Sequence, residues 1–393
     1  MGVGALLPRL NTLHVFARSV GSLKDGLIFM APFLKHLRID FNLRLQRNST
    51  EVLDFVRFAI YKAPNLENLE LRLSSLLEIA PSIIELWLPS LSQLHTLSLP
   101  STPLTPRYIA PISKLPALQN LKWVNASSTE DPGQWNQVTG SFPSLKAIEC
   151  VIDTTTDAVT LLDTLPKHQI NSISLDLRYS GMVKEAFSHV HTLSEGIAYL
   201  GHLSLKVLHL NLPRDIRDAF RALEPLTECL QLTELQISYR ACLDIQDDEI
   251  EVMAQRLRNL QTIVLGPPRL PPDWTTRVAP PLTLRSIQSF ADHCPDITSV
   301  GLLIGDSRLP KLHRNDARFL NDMTFEFFTS KLEVTDVFPV AKYLTDLCRA
   351  ESGVAPVLGE CIGEEWKNVG VSVREFHSVR LHERRWVEMK NNL

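Results

Sequence analysis

Apolar residues recur along this chain in a fixed phrase: a proline is followed by apolar residues two, five and seven positions later. Clear copies are Pro8-Leu10-Leu13-Val15, Pro32-Leu34-Leu37-Ile39, Pro64-Leu66-Leu69-Leu71, Pro116-Leu118-Leu121-Trp123 and Pro143-Leu145-Ile148-Cys150. Weaker copies continue to Pro295-Ile297-Val300-Leu302. A short phrase that returns this often predicts one supersecondary unit stacked many times into a solenoid.

Each unit reads as a strand and a helix joined by the proline. Residues 69–73 alternate leucine with charge, which is the period of a half-buried strand. Residues 49–60 place Val52, Phe55, Val56 and Ala59 on one face of a helix, and residues 247–257 repeat that pattern. The residue before proline is driven out of the α region, so the proline ends the helix and passes the chain on extended.

Stacking such units predicts an α/β fold of the leucine-rich-repeat type, a horseshoe-like solenoid with a parallel inner sheet and outer helices. The repeats are expected over residues 1–305. After them we expect a terminal repeat and a mainly helical C-terminal cap over 306–393, with a strand at 327–334, helices at 336–347 and 364–369, and a helical tail at 371–389.

Two segments break the pattern. Residues 127–138 contain Trp135 in a polar loop, and the proline-dense segment 266–274 contains Trp274. Tryptophan is favoured at binding hot spots. We nevertheless favour packing of Trp135 on a neighbouring helix and a spacer role for the second segment, because proline density forbids a helix or an inner strand there.

Composition excludes several classes of protein. Hydrophobic residues make up 44% and charged residues 21%, as in a folded chain, and the net charge of −4 gives no reason to expect nucleic-acid binding. The six cysteines lack C-x-x-C spacing, so they are predicted to be reduced and buried. Without a signal peptide or a stretch that could cross a bilayer, the cytoplasm or nucleus is predicted, with no membrane partner.

Motifs for chemistry are missing as well. The sequence holds no G-x-G-x-x-G, Walker, H-E-x-x-H or G-x-S-x-G motif, so we predict no enzyme and no cofactor. His189 and His191, with His202 and His209 nearby, are predicted to be surface histidines without acidic or cysteine partners rather than a metal site. The acidic run 244–249 lacks the glycine and final glutamate of a calcium loop and reads as a helix N-terminus.

The exposed positions of the inner strands remain as the candidate binding surface, because solenoid curvature makes them one long concave face. We predict that they bind a protein ligand. The candidates are His14, Phe16, Arg38, Asp40, Glu70, Arg72, Lys122, Asp176, Arg178, His209 and Asn211.

The phrases at 31–39 and 63–71, together with His-Cys-Pro-Asp-Ile at 293–297, resemble the repeat region of F-box proteins, especially the large fungal F-box-like family. The resemblance implies the substrate receptor of a Skp–cullin–F-box ubiquitin ligase, whose N-terminal F-box docks the adaptor subunit. No segment before Leu10 matches an F-box, so no adaptor-binding residue is predicted, and adaptor binding is expected only if an F-box lies upstream. The alternatives are a ligase-independent scaffold or inhibitor of the ribonuclease-inhibitor type, or a sensor repeat domain.

Overall fold

The computed structural model describes most of the chain. The described residues are 9–18, 20–41, 50–73, 83–99, 106–126, 142–178, 186–212, 219–239, 243–267, 282–305, 309–310, 318–319, 321–327, 336–348, 357–358 and 364–391. They divide between two compact units. The first contains Met1–Ser180 and Tyr199–Leu205, and the second contains Gly181–Ala198 and Lys206–Leu393.

The first unit is built on a parallel sheet whose strands pair in chain order, each with the next. Its strands are β1 (Thr12–Ala17), β2 (His36–Phe41), β3 (Asn68–Leu73), β4 (Thr96–Leu99), β5 (Asn120–Ala126), β6 (Ala147–Ile152) and β7 (Ser172–Leu177). Among the described residues, helical segments lie between every pair of successive strands of this unit except β5 and β6, as parallel pairing favours. They are α1 (Val20–Phe29), α2 (Thr50–Lys62), a π-helical turn (Ile83–Trp87), a 3-10 turn (Leu88–Ser90), α3 (Pro106–Ile112) and α4 (Thr155–Thr164).

The second unit repeats this plan. Its parallel strands are β8 (Val207–Leu212), β9 (Glu234–Tyr239), β10 (Thr262–Gly266), β11 (Ser299–Leu302), β12 (Thr324–Phe327) and β13 (Val357–Leu358). Helix α5 (Ala186–Gly201) has residues in both units. The remaining helical segments are α6 (Ala219–Leu223), a 3-10 turn (Glu224–Glu228), α7 (Asp247–Arg256), α8 (Arg285–His293), α9 (Val337–Leu347) and α10 (Glu364–Asn391).

Neighbouring repeats are tied together by the same hydrogen bonds in each unit. The carbonyl of Lys35, just before β2, accepts the backbone N–H groups of Glu67 and Asn68, both at 2.9 Å. The turn before β3 adds a second hydrogen bond between these repeats, in which the Asn65 side chain donates to the Pro32 carbonyl at 3.1 Å. In the second unit Asn259 donates in the same way to the Leu230 carbonyl at 2.8 Å. These bonds satisfy backbone groups that each repeat leaves open.

The apolar positions of the phrase form the core. Leu37, Leu69 and Leu97 are buried and directly opposite one another on β2, β3 and β4. The predicted alternation of buried leucine and outward charge is therefore confirmed. So is the coarser fold class, an α/β protein with parallel strands and intervening helices.

The sequence analysis missed the repeat that contains β4. Strand β4 buries Leu97 and Leu99, and the turn before it holds Ser92 where the clear copies of the phrase have proline. Leu94 is also buried, so the apolar spacing is intact. Proline is therefore dispensable at this junction, because the turn can form without it.

Most of the predicted helices are confirmed. The helices predicted at 49–60 and 247–257 are α2 and α7, and the helix predicted at 336–347 is α9. The two helical segments predicted at the C-terminus are one continuous helix, α10.

Three details of the prediction need correction or lie outside the described residues. Of the strand predicted at 327–334, only Phe327 is described; it ends β12 (Thr324–Phe327), in which Phe325 and Phe327 are buried, and residues 328–334 lie outside the described residues. Phe142 precedes a proline but has a φ of 65° rather than an extended backbone; its ring is buried and its N–H donates to Ser113 O at 2.8 Å. Trp135 and Trp274 lie outside the described residues.

The boundary predicted after residue 305 separates a repeat pattern from a cap. The division between the two compact units falls elsewhere, around residues 181–206. That division concerns compactness and does not mark the end of the repeats. The predicted boundary therefore remains a prediction.

Candidate functional site

The exposed side of β1–β7, here called the polar face, presents its side chains in rows that cross the strands. Register places His14, Arg38, Glu70, Ser98, Lys122, Glu149 and Ser174 opposite one another in one row. A second row begins with Phe16, Asp40 and Arg72. Because strand neighbours are about 4.8 Å apart, these side chains reach one another directly.

Asp40 is the centre of an ionic cluster on the polar face. Its carboxylate accepts a hydrogen bond from His14 Nε2 at 2.5 Å, and the guanidinium of Arg38 donates to both of its oxygens at 3.3 Å. Arg72 Nε lies 3.8 Å from the same carboxylate. Three side chains from three adjacent strands thus converge on one acceptor.

The pKa of Asp40 is shifted by two opposing effects. Partial burial disfavours the charged carboxylate and would raise the pKa, but the hydrogen bonds from His14 and Arg38 outweigh it. The pKa of Asp40 is therefore held below its ordinary value. The carboxylate stays ionised at neutral pH and keeps the cluster assembled.

Glu70 extends the cluster along β3. Arg72 Nε donates to Glu70 at 2.6 Å, and Arg38 Nη1 lies 3.8 Å from the other carboxylate oxygen. Arg38 and Arg72 each face both Asp40 and Glu70, so four of the predicted residues form one charge-balanced group. Neither arginine is a free cation awaiting an anionic ligand.

Two ion pairs on or beside the polar face involve residues that the sequence analysis did not select. Lys122 pairs with Glu149 of the next strand, and Lys35 donates to Glu67 at 2.6 Å just before the strands begin. The hydrogen bond from Lys35 lowers the pKa of Glu67. Glu149 could have been found from the sequence, because it lies between the apolar Ile148 and Cys150 of the phrase.

Phe16 is an aromatic member of the polar face. Its side chain is 60% exposed, although it lies on a strand, and its ring centroid is 4.1 Å from that of His14. An exposed ring beside an ionic cluster offers a partner both apolar area and charge. Phe16, His14 and Asp40 are the part of the predicted set that the structure brings together most closely.

The other predicted residues are more dispersed. Asp176 lies on β7, opposite Val151, and Arg178 follows the end of that strand with its side chain exposed. His209 and Asn211 belong to the second unit. There His209 Nε2 lies 2.7 Å from Glu234, and Asn211 is opposite Ser238.

The acidic run predicted to begin a helix does so and also joins two helices. Glu249 accepts the backbone N–H of Gln246 at 2.8 Å, which satisfies a free donor at the start of α7. Asp247 accepts from the N–H and hydroxyl of Thr283 at 2.9 and 2.6 Å. These carboxylates are therefore used in local hydrogen bonding.

Four cysteines are free and buried: Cys150, Cys229, Cys294 and Cys348. Burial raises the pKa of Cys150 and brings the pKa values of the other three to about 12. Among the described residues no group of His, Cys, Asp and Glu could hold a metal ion. No described helix combines the length and the apolar character needed to cross a bilayer.

A cleft of about 510 Å³ lies on the helical side of the first unit. Its lining is mostly apolar and includes Pro89, Pro111 and Pro116, with the charged side chains of Glu85 and Lys114. It lies between the 3-10 turn before β4 and helix α3. Of these five residues the sequence analysis singled out only Pro116, as the start of a repeated phrase; the other four belong to segments between the phrases.

Comparison of the sequence with protein-family models and with curated proteins found no match. The case for a function therefore depends on the residues and their geometry.

Proposed function

We propose that this chain is a leucine-rich-repeat protein that binds another protein through its polar face. The observation that carries the proposal is the register of β1–β7, which aligns exposed charged residues from successive strands into continuous rows. Stacked repeats are built to present such extended surfaces. We further propose that the repeats curve as a horseshoe with these strands on the inner side.

The dimensions of the polar face favour a macromolecular partner. Seven strands at about 4.8 Å spacing extend across roughly 30 Å, which suits an interface of standard size rather than a small molecule. Both signs of charge alternate across it, so a polyanion such as nucleic acid gains no net attraction. A folded protein with its own mixed charges fits this surface best.

The ionic cluster prepares the polar face for recognition. Asp40 and Glu70 fix both Arg38 and Arg72 in position, so a partner does not have to order these long side chains. Such charges chiefly set specificity and association rate. Phe16 supplies the exposed aromatic anchor that binding hot spots commonly contain.

The resemblance to F-box proteins favours a substrate receptor of a ubiquitin ligase, with the repeats holding the target. A scaffold or inhibitor of the ribonuclease-inhibitor type would use the same surface without the ligase. Free, buried cysteines are consistent with a reducing compartment, so we propose the cytoplasm or nucleus. An in-frame F-box upstream of Met1, or co-purification of the adaptor with the full-length product, would support the receptor; a full-length product that binds targets but never the adaptor would favour the scaffold.

The test is affinity capture of cellular proteins with quantitative mass spectrometry. Reversing Arg38 or Arg72 would set like charges beside Asp40 or Glu70, so the better variant exchanges a pair: Lys122→Glu with Glu149→Lys, combined with Phe16→Ala. This variant keeps the ion pair and the net charge but changes the pattern that a partner meets. We expect the captured partners to be depleted more than about tenfold.

A matched control exchanges an ion pair outside the strands, Glu224→Arg with Arg256→Glu, whose side chains are 3.6 Å apart on the 3-10 turn Glu224–Glu228 and α7. The control should capture the same partners as the wild type. Equal capture by all three proteins, with unchanged melting curves, would refute binding through the polar face.

A further inference from the structure

A second surface of the first unit carries a set of exposed aromatic side chains far from any charge row. Phe29 ends α1, Phe58 and Tyr61 lie one turn apart on α2, and Phe33 occupies the turn between α1 and β2. Their exposed fractions are 36%, 56%, 82% and 67%. We call these four residues the aromatic patch.

The repeat geometry brings the members of the aromatic patch to one side of the molecule. Helix α1 packs against α2. The register of β2 with β3 relates residues 32 apart, which makes Phe29 and Tyr61 equivalent positions in adjacent repeats. The hydrogen bond from Asn65 to the Pro32 carbonyl holds the two following turns side by side.

The exposed area is large for a surface in water. If a fully exposed ring offers about 200 Å², the aromatic patch presents roughly 500 Å², and the exposed Ile28 adds to it. Apolar patches of this size on a single chain usually mark an interaction site. Aromatic residues are the type most enriched in the cores of such sites.

Charges of both signs surround the aromatic patch, and the half-buried Lys62 follows Tyr61 at the end of α2. Lys24 and Asp25 are exposed one turn before Ile28 and Phe29, and Asp54 and Arg57 lie one turn before Phe58 and Tyr61. Arg57 is 3.7 Å from Asp54 in a solvent-exposed pair, which is weak and free to exchange. A surface that carries both signs can pair its cations with the carboxylates of its own copy.

We propose that two copies of this chain associate through the aromatic patch, related by a twofold axis. An isologous contact would bury on the order of 1,000 Å² in total, the lower limit for a specific interface. It would place Arg57 within reach of the partner's Asp25 or Asp54. A dimer of this size dissociates in the micromolar range and leaves the polar face of each copy free.

The experiment is sedimentation equilibrium of the full chain over about two decades of concentration around the micromolar range. We expect a monomer–dimer equilibrium for the wild type and a dissociation constant at least about tenfold higher for the double variant Phe58→Ser, Tyr61→Ser. Phe16→Ser is the matched control, since that ring is equally exposed but lies on the polar face, and it should dimerise as the wild type does.

A charge exchange provides a second, independent readout. Arg57→Asp alone should weaken the dimer, because it replaces a cation that would pair with a carboxylate of the other copy by a further negative charge. Combining Arg57→Asp with Asp54→Arg should restore the dimer, because the cation is then present at position 54. A wild type that is monomeric throughout, a double variant that dimerises unchanged, or a Phe16→Ser variant that loses the dimer would each overturn the proposal. A monomeric chain that uses the same rings to hold a different protein would overturn it too. None of these outcomes bears on partner capture by the polar face.

Discussion

Replacing Leu69 by alanine tests whether the repeats form one interdependent core. Leu69 is 1% exposed, and its neighbours in register on β2 and β4 are the buried Leu37 and Leu97. The substitution removes three carbon atoms between two other leucines. Both adjacent repeats therefore border the cavity that results.

The expected loss of stability follows from these contacts. Removing the buried atoms costs about 2 to 2.5 kcal/mol at roughly 0.8 kcal/mol for each methylene equivalent. The cavity adds to this, because strands on both sides restrain collapse, so the total is about 3 to 5 kcal/mol. Leu69→Asp should cost more, since it buries an unpaired charge.

Denaturant unfolding followed by circular dichroism measures the change in the free energy of unfolding. Hydrogen exchange locates it, and amides of β2 and β4 should lose protection along with those of β3, because each repeat is stabilised by its neighbours. Glu70→Ala is the control at the next residue; its ion pairs are partly exposed, so it should cost no more than about 1 kcal/mol. A loss below about 1 kcal/mol for Leu69→Ala, or equal losses for the two variants, would refute the interdependent core.

Three further outcomes are expected. Asp40→Asn should lower stability by up to about 1 kcal/mol at neutral pH, because the lowered pKa makes the charged carboxylate stabilising. The difference from wild type should shrink as the pH falls through about 4, the ordinary pKa of an aspartate, and vanish only below the lowered pKa of the folded state. Equal differences at pH 7 and pH 3 in urea titrations would contradict this. Gly201→Ala should destabilise by about 1 to 3 kcal/mol despite alanine's helix propensity, because the new methyl would lie 2.6 Å from Leu205 Cβ, and a raised melting temperature would show that the helix end shifts freely. A thiol reagent should leave four cysteines unlabelled in the native protein and label them in denaturant, because burial blocks access and raises their pKa values. They are Cys150, Cys229, Cys294 and Cys348. Peptide mapping identifies the labelled residues, and labelling of any of the four in the native protein would show local opening.

The repeated phrase was sufficient to predict the local structure. Alternating leucine and charge predicted which side chains of β3 are buried, and the amphipathic segments predicted α2 and α7, because both patterns depend on periods of a few residues. The phrase also placed Arg38, Asp40, Glu70 and Arg72 on exposed strand positions. The sequence analysis did not recognise the repeat of β4, where Ser92 occupies the position that is proline in the clear copies.

Tertiary structure decided which of the exposed residues meet. Register sets His14 and Arg38 against Asp40, and it pairs Lys122 with Glu149, a residue that the sequence analysis passed over. The segments between strands differ in length from repeat to repeat, so the sequence offers no constant spacing from which these partners could be calculated. The aromatic patch could not be predicted from the sequence for the same reason. Phe29 and Tyr61 are 32 residues apart in the chain, and only the stacking of one repeat on the next makes them neighbours on the surface.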